Sequence, residues 1–180
     1  ILYQENDSLA YFLSKAQELL NSGKPIESLE IYRKKIEDST KVYRFIQAAY
    51  DYMYARNFEE MDRNFALFRK EASNKKIELN GGFCGYMLLR NGEIAESDLI
   101  FENTVKEIQN NMNLSVVYAL NGGYDYDLAT LFSAWGKSEK AFEHLRNLQK
   151  LEGIPLWMVS SLKSPMFDNL RELPEFKALQ

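Results

Sequence analysis

Four stretches of the chain place apolar residues at helical spacing, and each pattern breaks at a short polar turn before resuming. The turns fall at Ser22-Gly23-Lys24-Pro25, Ala55-Arg56-Asn57-Phe58, Arg90-Asn91-Gly92-Glu93 and Trp135-Gly136-Lys137-Ser138. Counted from Gly23, Arg56, Gly92 and Gly136, the same residue types recur. Seven positions earlier stand the small residues Ala16, Ala49, Gly85 and Ala129; four positions earlier stand the bulky Leu19, Tyr52, Leu88 and Phe132. Five positions later come Ser28, Met61, Ser97 and Ala141, and nine later Tyr32, Phe65, Phe101 and Leu145. Successive turns are 33, 36 and 44 residues apart. The first two gaps match the period of ~34 residues of a helix-turn-helix repeat, and the third accommodates a longer helix or an inter-repeat loop.

This layout predicts first helices near 8–22, 42–55, 78–91 and 122–135, and second helices near 25–38, 58–73, 94–111 and 138–152. Small side chains let the two helices of a hairpin approach, and bulky ones a turn away fill the flanking grooves. Glycine at three of the four turns supplies the left-handed residue that ends a helix; at the second turn, Arg56-Asn57, asparagine is expected to take that conformation at some cost. Met61 departs from the small-residue rule, which makes the second repeat the weakest match. Asn80-Gly81-Gly82 and Asn121-Gly122-Gly123 mark helix starts or kinks, since glycine inside a helix costs about 1 kcal/mol. Gln109 to Asn113 reads as a frayed helix end, and Leu114 to Leu120 stays open between a loop and a short helix.

The last residues carry their own repeat. Ser164-Pro165-Met166-Phe167 and Leu173-Pro174-Glu175-Phe176 set proline two residues before phenylalanine, nine residues apart. Proline suits the first position of a helix, where its missing N–H has no partner to lose. Phe167, Leu170, Phe176 and Leu179 are therefore expected to cover the open end of the stack, as the last unit of a helical repeat array requires. The expectation is one all-α domain over residues 1–180, with repeats at about 8–40, 42–76, 78–112 and 122–152 and a capping tail at 154–180.

Composition narrows the function. The net charge of −4 gives no general attraction to phosphate backbones. Arg33-Lys34-Lys35 and Lys75-Lys76 are too short for a nucleic-acid groove and read as solvated faces. No run approaches the ~18 apolar residues of a membrane span. A single cysteine excludes an internal disulfide and a cysteine-based metal cluster, and fits a reducing compartment. The chain opens Ile1-Leu2-Tyr3-Gln4-Glu5, without methionine or a signal-peptide pattern, and reads as an excised or processed segment. The expected compartment is the cytoplasm, or the periplasm if an upstream membrane segment has been removed.

The repeat pattern resembles the tetratricopeptide repeat. The best match is Gly85-Tyr86-Met87-Leu88-Leu89-Arg90-Asn91-Gly92, followed by Ala129, Phe132, Trp135-Gly136 and Ala141, and the resemblance covers about residues 8–152. It implies a right-handed α-solenoid of about four helix-turn-helix repeats whose first helices line a concave, peptide-binding groove. Carried over by alignment to the turns, the groove residues would be Leu13, Gln17, Tyr43, Gln47, Tyr50, Tyr54, Phe83, Tyr86, Arg90, Tyr126 and Asp127. Tyrosine there offers contact area at low entropic cost, although aromatic residues at helical spacing also build cores. A subset of the family clamps chaperone C-termini through Lys, Asn and Arg. Here Leu13, Gln17, Gln47, Leu79 and Phe83 occupy the matching places, which argues against that ligand. The ending from Leu162 to Leu179 is similar to the terminus of repeat arrays in bacterial multidomain proteins, where it follows a cyclase, kinase or winged-helix regulatory domain.

Candidate chemistry is sparse, and no catalytic residue, metal site or cofactor is expected. His144, the only histidine, falls on an outer helix beside Glu143 and Lys140 and is expected to face solvent. Cys84 reads as a small buried thiol. Asn121-Gly122-Gly123 lacks the Lys-Ser/Thr ending of a phosphate loop. Asp125 and Asp127 point in different directions on a helix and make no acid–base pair. The first functional reading is therefore a protein-interaction module with a protein or peptide partner. The second is a sensor or regulatory domain of a longer signalling protein or transcription regulator, and the third an enzyme or small-molecule binder.

Overall fold

A computed structural model of the chain describes residues 41–111, 122–151 and 161–179, with the single positions Leu19, Ser22, Lys24 and Glu27. The helices expected at 8–22 and 25–38 and the segment 114–120 lie outside them, apart from those single positions. Among the described residues every regular element is helical: α1 (Lys41–Tyr54), α2 (Phe58–Asn74), α3 (Gly81–Arg90), α4 (Ile94–Asn111), α5 (Gly123–Ala134), α6 (Ser138–Gln149), a 3₁₀ turn at Pro165–Phe167 and α7 (Pro174–Lys177). The chain divides into two compact units, residues 1–78 and 79–180. The first contains the hairpin α1–α2; the second contains the hairpins α3–α4 and α5–α6 and the tail. None of these helices is long and apolar enough to cross a membrane.

All three hairpins turn by the same hydrogen bonds. The carbonyls of Tyr52, Leu88 and Phe132 accept from the N–H of Asn57, Glu93 and Lys137, at 3.0, 3.0 and 2.8 Å. Inside those bonds Arg56 donates to Met53, Gly92 to Leu89 and Gly136 to Ser133. This pair of bonds requires a left-handed residue between them, and Arg56, Gly92 and Gly136 have φ of 55°, 80° and 77°. The second turn corrects the expectation for Asn57. Arg56 takes the left-handed position, while Asn57 caps α2 at φ −91°, its side chain accepting from the Glu60 N–H. Each position needs something different: the cap needs a side-chain oxygen, which arginine lacks, so the asparagine goes there and the arginine bears the strain. The carbonyls of Asn57, Glu93 and Lys137 then accept the first bonds of the next helices, from Met61, Ser97 and Ala141. The residue that closes one helix thus opens the following one. At the first predicted turn, Lys24 donates to the Leu19 carbonyl at 2.9 Å.

The small positions carry the close contacts. In the α3–α4 hairpin a Cβ on Gly85 would stand 3.0 Å from the Phe101 ring, and the fully buried Ser97 hydroxyl donates to the Gly85 carbonyl at 2.8 Å. Ala129 and Ala141 are both fully buried in the core that α5 and α6 share. The first unit, where Met61 breaks the rule, still forms its hairpin: Ala49, Met53, Met61 and Phe65 are fully buried. Methionine is unbranched, so its chain can lie along a neighbour where a branched residue of the same volume would hold the helices apart. The helix start expected at 78 falls instead at Gly81, after the extended Asn80, and the glycine pairs mark helix starts as predicted. The helix expected to reach 152 stops at Gln149; Leu151 turns back, and with Leu148 it presses on Gly122, where a Cβ would meet both side chains at 2.5 Å.

The tail packs on the α5–α6 hairpin. Phe167, Leu170 and Phe176 are fully buried in one cluster with Phe132, Phe142 and Leu145, and Leu179 lies against it. Ser164 caps the 3₁₀ turn by accepting from the Met166 N–H. Asn169 donates to the Ser133 carbonyl at 3.1 Å, a second bond to the helix-end acceptor that Gly136 also uses, and Arg146 makes a forked pair with Glu175.

Relieving the left-handed arginine by Arg56→Gly is expected to raise the unfolding free energy by up to about 1 kcal/mol. Gly136→Ala, where a Cβ meets nothing within 4 Å, is expected to lower it by about 1 kcal/mol through the backbone alone. Equilibrium urea unfolding checks both, and effects of the same sign would contradict this account of the turns. Phe176→Ala should cost roughly 3–5 kcal/mol in the same measurement, as a fully buried aromatic does.

Candidate functional site

The candidate surface rests on the first helix of each hairpin. On α1, Gln47, Tyr50 and Tyr54 follow one another at three- and four-residue steps, so they share a face, and all three are half-buried. The Tyr50 and Tyr54 rings lie 5.1 Å apart with their hydroxyls at 3.3 Å. Gln47 donates to the buried Asp51 carboxylate at 3.2 Å. Tyr43 sits one turn earlier on the same helix. In the second unit, Phe83, Tyr86 and Arg90 follow the same spacing along α3. Phe83 and Tyr86 are half-buried, and Arg90 is exposed with its guanidinium 5.9 Å from the Tyr86 ring. Asp127 on α5 is half-buried. Tyr126 belongs elsewhere: it is 9 % exposed and packs in the core 6.1 Å from the Phe167 ring. Leu13 and Gln17 lie outside the described residues. The nine described positions are therefore spread over both units, with Tyr43, Gln47, Tyr50 and Tyr54 in the first and Phe83, Tyr86, Arg90, Tyr126 and Asp127 in the second.

His144 departs from its expected place in solvent. Its side chain is 19 % exposed, and its Nδ1–H donates to Asp125 at 2.8 Å. Asn147 donates to the same carboxylate oxygen at 3.1 Å. The imidazole also stacks on Phe132, with centroids 5.7 Å apart and planes at 11°. The pairing of Asp125 with His144 was within reach of the sequence. Asp125 stands four residues before Ala129 and His144 three after Ala141, so the fold-back that places those alanines in one core also brings this acid to this base. The flat apolar ring of Phe132 favours burying the imidazole face, and the carboxylate supplies the partner that a half-buried N–H needs. Chemically the cluster is a cross-link between α5 and α6. Among the described residues no group of three or more His, Cys, Asp or Glu could hold a metal ion.

A run of stacked rings extends from this cluster. Trp135 lies between Phe101, at 5.2 Å and 19°, and Phe132, at 6.3 Å and 6°. Its indole N–H donates to Asp98 at 2.6 Å, and the Lys137 ammonium sits 3.1 Å from a Trp135 ring centroid. The run ties α4 to the α5–α6 turn. The Tyr124 hydroxyl, donating to the Asn111 carbonyl, fixes the far end of α4 to the start of α5.

Cys84 is buried on α3, and that burial pushes its thiol up to about 11, against the smaller opposite pull of a backbone hydrogen bond at Asn80. At neutral pH it is a protonated core residue with neither the charge nor the access of a nucleophile.

Comparison with family models, with curated proteins and with solved structures finds no match to the chain.

The native Cys84 thiol is expected to stay unreactive toward an aromatic disulfide reagent at neutral pH and to react with one equivalent in concentrated urea. Because the folded state disfavours the thiolate, stability should be intact below the unfolded value near 9.0 and should fall as the pH rises through about 11. A thiol that titrates at once in the folded protein would contradict this burial.

Proposed function

We propose that the chain is a protein-interaction module of the tetratricopeptide-repeat type, an α-solenoid that offers the exposed faces of its first helices to a peptide or partner domain. The observation that carries this reading is the repeated hairpin. Among the described residues, three helix pairs turn on a left-handed residue at one register, and the carbonyl of the next residue accepts the first bond of the second helix. A hairpin of this kind leaves a flank that its own residues do not cover, where a neighbouring hairpin or a ligand can pack.

In each unit, the residues on the first helices suit a peptide. Tyr50, Tyr54, Phe83 and Tyr86 combine ring area with partial burial, so they are already ordered before a ligand arrives and lose little freedom on binding it. Polar groups that would orient a backbone come from Gln47 on α1 in the first unit, and from Arg90 beside the Tyr86 ring and Asp127 on α5 in the second.

A variant carrying Tyr50→Ala and Tyr86→Ala is expected to keep its helical circular dichroism and to lose at least about tenfold in capture of partners from a lysate, the scale of an interface position worth more than 1 kcal/mol. Leu99→Ala, at an exposed position on the second helix α4, is the control and should capture as the parent does. Equal capture by all three would sink the first-helix surface.

A further inference from the structure

We propose that Asn80 is a site of spontaneous modification, at which the Asn80–Gly81 peptide closes to a succinimide and reopens as aspartate or isoaspartate. The chemistry needs only water. The Gly81 amide nitrogen, having lost its proton to solvent base, forms a bond to the Asn80 side-chain carbonyl carbon. The bond to the amide nitrogen breaks, and that nitrogen leaves as ammonia after taking up a proton. Water then opens the ring. Attack at the side-chain carbonyl gives aspartate; attack at the backbone carbonyl gives isoaspartate, with the main chain rerouted through Cβ.

Two Asn-Gly pairs have both residues described, and the fold treats them differently. At Asn91–Gly92 the glycine N–H is bonded to the Leu89 carbonyl at 3.1 Å and the asparagine N–H to Met87 at 3.1 Å. Asn91 is near-helical, at φ −81° and ψ 1°. Ring closure there must first break a turn bond and rotate the glycine nitrogen away from a helical ψ. Asn80 is set up in the opposite way. Its backbone is extended, at φ −146° and ψ 169°, and its side chain makes no cap bond. Gly81 is the first residue of α3, where an N–H has no preceding helical carbonyl to take it. An extended ψ holds the glycine nitrogen much nearer the Cβ side of the asparagine, where the ring must close. At Gly81 the space where a side chain would sit is open, with nothing within 4 Å, and Asn80 is exposed.

The product changes the start of α3, the helix that carries Phe83, Tyr86 and Arg90. Aspartate adds a negative charge at the positive end of the helix. Isoaspartate inserts an extra backbone carbon at the cap.

Trypsin separates the two sites, since cleavage after Lys76, Arg90 and Lys106 places Asn80 in 77–90 and Asn91 in 91–106. The folded protein would be held at mildly alkaline pH, sampled over time, and each peptide read by mass spectrometry against an unincubated digest. The acid form is expected to build up at Asn80 about fivefold faster than at Asn91, the factor that breaking one ordinary hydrogen bond imposes. In concentrated urea the two rates should converge, because only the fold distinguishes them. Asn80→Ser, which keeps a helix-start residue and removes the amide, should abolish the change in 77–90 alone. Equal rates in the folded protein, a faster Asn91, or no conversion at Asn80 while the unfolded chain converts would each overturn the proposal.

Discussion

A three-residue connection between two helices leaves room for one left-handed residue and one cap, and the hairpins are built around that constraint. The carbonyl that accepts the longer turn bond belongs in each case to a buried side chain, Tyr52, Leu88 or Phe132. Backbone closure and core insertion therefore happen at one residue. A turn with another register would swing the second helix about its axis and carry Phe65, Phe101 or Leu145 out of the core. The close approach of Gly85 to Phe101 and the hydroxyl bond of Ser97 to Gly85 follow from a turn set correctly seven and five residues away.

Within the second unit, the two hairpins are joined by something other than aliphatic packing. Phe101, Trp135, Phe132 and His144 form a run of near-parallel rings from α4 to α6, with an acid on each ring that carries an N–H: Asp98 on the indole and Asp125 on the imidazole. Flat groups with directed N–H bonds specify a distance and an angle, whereas leucines specify little more than a volume. The two hairpins of the unit are thereby held at one relative setting.

Much of this architecture was legible in the sequence, and the parts that were not have identifiable reasons. The boundaries of α2 and α4 could be read to within a residue, because a repeated turn locates both neighbouring helices at once. The small positions Gly85, Ser97, Ala129 and Ala141 were visible because the constraint on them is size, which a residue name states. Asn57 was misassigned because two adjacent residues could each have taken the left-handed position, and only the competing need for a cap separates them. His144 was misplaced for a related reason: reading one helix at a time shows its charged neighbours Lys140 and Glu143 but not the Asp125 that faces it from α5. Tyr126 was counted as surface because an alignment to the turns supplies a face but not the residue that lands on it, and Phe167 arrives from a segment about forty residues away. The tail could be read from its two proline starts, which fix where short helices begin, and from the phenylalanines they carry.

The placement of that tail bears on how copies of the molecule meet. A helical hairpin with a bare apolar flank is a template on which an identical hairpin can dock, and a stack of such templates lengthens without limit as fibres do. Here the flank of α5–α6 is occupied by Phe167, Leu170 and Phe176 from the same chain, and the forked contact of Arg146 with Glu175 holds α7 over it. Occupation in cis is independent of concentration, whereas docking in trans is not. At this edge, a second copy could dock only by displacing side chains that already fill the flank.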